Sequence, residues 1–175
     1  MKASCLSLEP NAAPTSDAEL GQIWNAIQSA SWRSGVDQRF ILAVLLQESK
    51  GCVRVHTTAN AVPNPGLMQD HAGVFSCNDR DTGAVLDPCP DWAIFGMIDE
   101  GVSGTAAGDG LAGVLNRVGG SAGDAATYYT AARVYNSGSY TPGDLGDGRG
   151  STTCYASDVA NRLVGWVYAP STCGQ

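Results

Sequence analysis

Apolar residues recur at intervals of three and four along most of the chain, the period of a helix with one buried face. Leu20, Ile23, Trp24 and Ile27 mark the first such face. Ser16 and Glu19 precede it with capping-box spacing, so a helix is predicted to open at residues 15–16 and end at Gly35. Asp37 is the expected N-cap of a second helix over 37–49. Phe40, Ile41, Leu42, Val44, Leu45 and Leu46 make that helix apolar nearly all round, which predicts a central buried position.

The pattern then changes. Val53 and Val55 alternate, and a run rich in Thr, Asn and Pro follows to Gly66, which reads as a short strand or irregular hairpin and a turn. Residues 77–90 read as a polar loop. Helical spacing returns from Asp91 to about Glu100, with Trp92, Ile94, Phe95, Met97 and Ile98, and residues 101–110 read as a loop. Further helices are expected over 111–118, over 124–136 with Tyr128, Ala132 and Tyr135, and over 157–168. Residues 137–150 form a Gly-rich loop. Pro10 and Pro14 punctuate an extended arm. The expected organisation is an arm over 1–14 and one domain over 15–175. Its class is mainly α (α+β), with about six to seven helices and a small β or irregular insert.

Composition narrows the function classes. The chain has 175 residues, 43% apolar and 15% charged. That excludes a disordered chain and argues against a coiled coil. The longest apolar run, 40–46, is too short to cross a bilayer. Net charge is −7, and Lys2 and Lys50 are the only lysines, so no nucleic-acid or membrane partner is expected.

Six cysteines occur, at 5, 52, 77, 89, 154 and 173, with no C-x-x-C pair. Three disulfides in an oxidising compartment fit better than a zinc ribbon or a thioredoxin motif. Fifteen pairings are formally open. Short local loops favour Cys77–Cys89 and Cys154–Cys173, which leaves Cys5–Cys52. The first ten residues hold no apolar signal-peptide segment, so a mature secreted chain is expected, its leader removed, and a monomer.

One residue breaks the second helix's pattern. Glu48 lies four residues after Val44, three after Leu45 and seven after Ile41, on one face with them. A carboxyl there is desolvated and near the negative end of the helix dipole, and both effects raise its pKa. Those are the conditions for a general acid near neutral pH. Spacing alone slightly favours a Glu that ends the helix in solvent or pairs with Arg54.

Two further stretches weigh toward chemistry. Residues 64–69 read N-P-G-L-M-Q, and residues 131–138 read A-A-R-V-Y-N-S-G. With Glu48-Ser49 and Gly51, in this order and with about twenty residues between the first two, they resemble the signature segments of glycoside hydrolase family 23. That family holds the lytic transglycosylases and goose-type lysozymes. The resemblance spans residues 40–138, and with its disulfides the chain looks most like the secreted fungal branch of the lysozyme-like superfamily.

The resemblance implies a lysozyme-like fold and a muramidase that needs no cofactor or metal and acts on peptidoglycan glycan strands. It implies that Glu48 protonates the oxygen between N-acetylmuramic acid and N-acetylglucosamine. Gly66, Leu67, Met68 and Gln69 would line the groove, with Leu67 mostly core. The Tyr135 hydroxyl would sit beside the acid, next to Asn136.

The chain departs from the family after Gln69. Asp70-His71 follows, and goose-type lysozymes carry an Asp where His71 stands. An inverting hydrolase needs a second carboxylate to activate water. Asp70 is the first candidate, then Asp37 and Asp79. Attack by the substrate's own acetamido or C6 hydroxyl group needs none. His56 and His71 lack metal-ligand spacing with Asp70 or Asp79 and read as polar groove or loop residues. Trp92, Tyr140 and Tyr155 are candidate sugar-stacking aromatics, with core packing the default for Trp92. The loop carrying Tyr140 is expected to wall the groove. Cleavage of chitin, and silent glycan binding on the same scaffold, are the other functions weighed.

Overall fold

The computed structural model describes residues 1, 4–9, 11–120, 123–168, 170, 171 and 173. Seven helices are α1 (Ser4–Leu8), α2 (Asp17–Ser34), α3 (Gln38–Glu48), α4 (Asp91–Ser103), α5 (Leu111–Val118), α6 (Ala125–Ser137) and α7 (Tyr155–Leu163). A hairpin of β1 (Thr58–Asn60) and β2 (Val62–Asn64) lies between α3 and α4, with Thr58 opposite Asn64. The fold class is therefore mainly α with a small sheet.

Local chemistry sets the helix ends. Ser16 caps α2 through both halves of the capping box with Glu19, and Gly35 closes it in the left-handed conformation. Asp37 and Asp124 cap α3 and α6 through their side chains. The packing neighbours run α2, α4, α5, α6, α7, α3 and back to α2, so these six helices close a ring. Ile23 and Ile27 of α2, Phe40, Ile41 and Leu45 of α3, and Ile94, Met97 and Ile98 of α4 fill the core inside it.

Several expectations change. The arm contains the helical turn α1, held by the Cys5–Cys52 disulfide. Val53 and Val55 are buried but lie before the hairpin, not in it. The third long helix runs past Glu100 to Ser103, because Gly101 packs against Met68 where any side chain would collide. The last helix begins at Tyr155 and ends at Leu163, so Trp166 and Val167 lie beyond it and are exposed. Trp24 and Trp92 stay 59% exposed, outside the core. The other two disulfides pair Cys77 with Cys89 and Cys154 with Cys173. No helix among the described residues is long and apolar enough to cross a membrane.

A buried ion pair ties the halves of the ring. Arg54 Nη2 lies 2.5 Å from Glu19 Oε1, with both side chains almost fully buried, and 2.7 Å from the more exposed Asp87. Glu19 also accepts the Ser16 and Cys89 backbone N–H groups. One carboxylate thus caps α2 and anchors the loop leading into α4. At the other end of these helices, Arg33 pairs with Asp99 at 2.6 Å, so α2 and α4 run side by side in the same sense.

Burial pushes the Glu19 carboxyl up, but hydrogen bonds from Ser16, Arg54 and Cys89 outweigh it and the net pKa is lowered. Its stabilising contribution is full above the unfolded-chain value of about 4.3 and is lost as pH falls through the lowered folded value. Arg54→Leu leaves Glu19 charged and unpaired, so a loss of about 3–5 kcal/mol is expected. Guanidinium unfolding at neutral pH checks it, as a lower midpoint with the slope kept.

Candidate active site

Glu48 closes α3 and stands half-buried in a cleft of about 520 Å³. That volume suits a small-molecule or oligomer site. The hairpin lends Thr58 and Asn64, and the following turn lends Gln69, Asp70 and His71. The lining also takes in Glu100 of α4, the 104–109 loop, Arg117 of α5, and Tyr135, Asn136, Ser137 and Gly138 at the end of α6.

Burial pushes the Glu48 carboxyl up to about 7, against one opposing hydrogen bond from the Tyr155 hydroxyl to Oε1. Asp70 is buried, at 3% exposure. Burial first, then the neighbouring Glu100 and Glu48 carboxyls, hold it well above the usual carboxylate range. The Tyr135 hydroxyl donates to the Met68 carbonyl at 3.0 Å and approaches Asp70 Oδ1 at 3.4 Å. Asp70 Oδ2 is buried with no hydrogen-bond partner in the protein. A buried oxygen without a partner is a place for an ordered water.

The expected roles are redistributed. The phenol on Glu48 belongs to Tyr155, and the phenol of Tyr135 serves Asp70. Tyr155 opens α7, and Arg133, itself fully buried, lies with its guanidinium 6.0 Å from the Tyr155 ring centre. Arg133 is held by the carbonyl of Thr152 at 2.7 Å and by Asn136 Oδ1.

Leu67 and Met68 are fully buried and do not line the cleft. Leu67 is core, as its apolar character suggested, while Met68 contributes its carbonyl. Gly66 is buried too. Its φ of 76° and the Met97 side chain 2.6 Å from where a Cβ would stand make glycine obligatory for packing, not for sugar approach. Gln69 lines the cleft, but its amide is engaged by Thr58 at 2.6 Å and by the Gly66 carbonyl at 2.9 Å, so it braces the hairpin.

His71 sits exposed at the rim. His56 pairs with Glu9 and lies outside the cleft. Tyr140 is 38% exposed and also outside it, although its loop sends Ser137 and Gly138 into the wall. Asp37 and Asp79 do not reach the cleft: one caps α3 and pairs with Arg39, the other closes a turn with Thr82. No cluster that could hold a metal occurs among the described residues.

Glu100 is a functional candidate that the sequence did not single out, and Tyr155, a candidate stacking aromatic by sequence, instead bonds Glu48. Glu100 had a signal, as a carboxylate two turns beyond Trp92 on a strongly apolar helix. The pairing of Tyr155 with Glu48 had none, because the two lie 107 positions apart. No family model matches the chain, and neither a curated protein nor a solved structure matches it.

The Tyr155 hydroxyl favours the ionised form of Glu48. Tyr155→Phe is therefore expected to move the Glu48 pKa upward from about 7. NMR titration of the labelled side-chain carboxyl carbons checks this, and a value unchanged or lower would show that the bond does not set the acid.

Proposed function

We propose that the chain is a glycosidase of lysozyme-like kind, a secreted muramidase that cleaves the β-1,4 bond between N-acetylmuramic acid and N-acetylglucosamine. The observation that carries this reading is the meeting of Glu48 and Asp70, from separate segments, in one polar cleft, both with raised pKa values. The three segments of the family resemblance meet this cleft: Glu48 directly, 66–69 through Gln69, 131–138 through Tyr135 and Asn136.

Protonated Glu48 gives its proton to the glycosidic oxygen as the bond to C1 breaks, and the bonding pair leaves with that oxygen as a hydroxyl. Water adds to C1 and loses its proton to Asp70, in the ionised form that burial disfavours. The reactive form holds one proton between the two carboxyls, on Glu48. If the acetamido or C6 hydroxyl of the substrate attacks instead, Glu48 serves as acid and then as base, and Asp70 is not needed as a base.

One observation favours chitin as a second substrate. The cleft is lined by Glu48, Asp70, Glu100 and Asp109, and Arg117 is its one arginine, paired with Asp109 at 3.1 Å. A neutral glycan meets no repulsion there, while a strand that carries acidic peptide stems does.

Glu48→Gln is expected to lower clearing of bacterial walls by at least about 100-fold. Activity of the native chain should fall as pH rises through about 7, where Glu48 loses its proton. Undiminished clearing by the variant would remove Glu48 as the acid. Mass spectrometry of products from peptidoglycan and chitin separates the substrates, and it distinguishes hydrolysed ends from 1,6-anhydro ends by one water. With Asp70 as the base, Asp70→Asn loses hydrolysed product.

A further inference from the structure

An aromatic stripe leaves the cleft along the outer face of α4. Trp92, Gly96 and Glu100 are spaced four apart and so share one helix face. Eight residues of helix span about 12 Å, room for roughly two sugar residues. Glu100 lines the cleft and accepts the backbone N–H groups of Val74 at 3.1 Å and Phe75 at 3.3 Å. That pins the 74–75 segment against the helix at the cleft end.

The Phe75 ring lies directly on Gly96, where a Cβ would stand 2.3 Å from the ring. Trp92 meets Phe75 edge to face, with centroids 6.3 Å apart. Trp92 is nevertheless 59% exposed, and Val74 is 79% exposed. A tryptophan held in place by a neighbouring ring but left largely open is an amphipathic platform, able to stack on the apolar face of a pyranose while its N–H meets a hydroxyl.

We propose that Val74, Phe75 and Trp92 form an outlying subsite that takes the extension of a β-1,4-linked N-acetylhexosamine strand whose cleaved bond lies at Glu48. The proposal rests on the glycan-cleaving reading of the cleft and adds where the strand continues. Continuity through Glu100 selects a polymer already seated in the cleft as the occupant. The subsite gives preference for long strands over short fragments.

The test uses the full chain carrying Glu48→Gln, so that glycan is bound and not turned over. N-acetylglucosamine oligomers from dimer to hexamer are titrated by calorimetry, and insoluble peptidoglycan is tested by co-sedimentation. Affinity is expected to climb with length. Adding Trp92→Ala should shrink that climb about tenfold, and Trp92→Phe should restore most of it. Equal thermal midpoints for the three proteins establish that each is folded. If the hexamer binds and the climb survives Trp92→Ala in full, the stripe is not a subsite and the cleft reading stands. If neither the oligomers nor peptidoglycan bind, the cleft reading itself falls, and the subsite with it.

Discussion

Keeping one carboxyl group short of water is the constraint on which the site depends. Glu48 ends a helix whose Phe40, Ile41, Ala43, Val44 and Leu45 belong to the core, so its side chain emerges where the helix ring opens into the cleft. Desolvation there raises its pKa, and a single phenol limits the rise. A carboxyl in open solvent would be ionised at neutral pH and useless as an acid. One sealed in the core without partners would cost several kcal/mol and meet no substrate. The half-buried position fits the acid role proposed for it.

That position rests on parts of the chain remote from Glu48. Arg133 sits beneath the Tyr155 ring and fixes the start of α7 through the 152–153 carbonyls. Gly101 leaves space for Met68 and for Asp70, whose Oδ1 would lie 2.7 Å from any Cβ at that position. Glu19 and Arg54 hold α2, the 86–89 loop and the start of α4 together, and α4 carries Glu100 to the cleft. Two buried charged groups at 19 and 54 are stable only because each is satisfied by the other and by backbone partners, an arrangement costly to disturb from either side.

Much of the helical framework was legible in the residues. Ser16 and Glu19, Asp37, Gly35, Asp124 and the 111–118 segment mark their own boundaries, because a cap is a bond between neighbours in sequence. Glu48 was legible for a similar reason, since a carboxylate on an apolar stripe stands out against a helical period. The failures share a different cause. Trp92 carries as much apolar surface as any core residue, yet it lies against the edge of Phe75 and stays outside. Gly101 carries the mark of a helix end, yet here it answers a steric need set by Met68. Gly66 likewise answers to Met97, so a glycine in a turn beside a site was misread as room for substrate.

The sequence by itself determined most of the helical stretches, that a short strand or hairpin segment interrupts them, that six cysteines form three bonds, and that position 48 is chemically singular. Tertiary structure alone decided which phenol meets which carboxyl, that Asp70 is buried beside Glu48 and Glu100, and which aromatics remain in solvent. Local elements follow from bonds between near neighbours and from periodicity, which the order of residues contains. Partners separated by more than sixty positions, such as Tyr135 and Asp70 or Tyr155 and Glu48, are chosen by how the whole ring of helices closes.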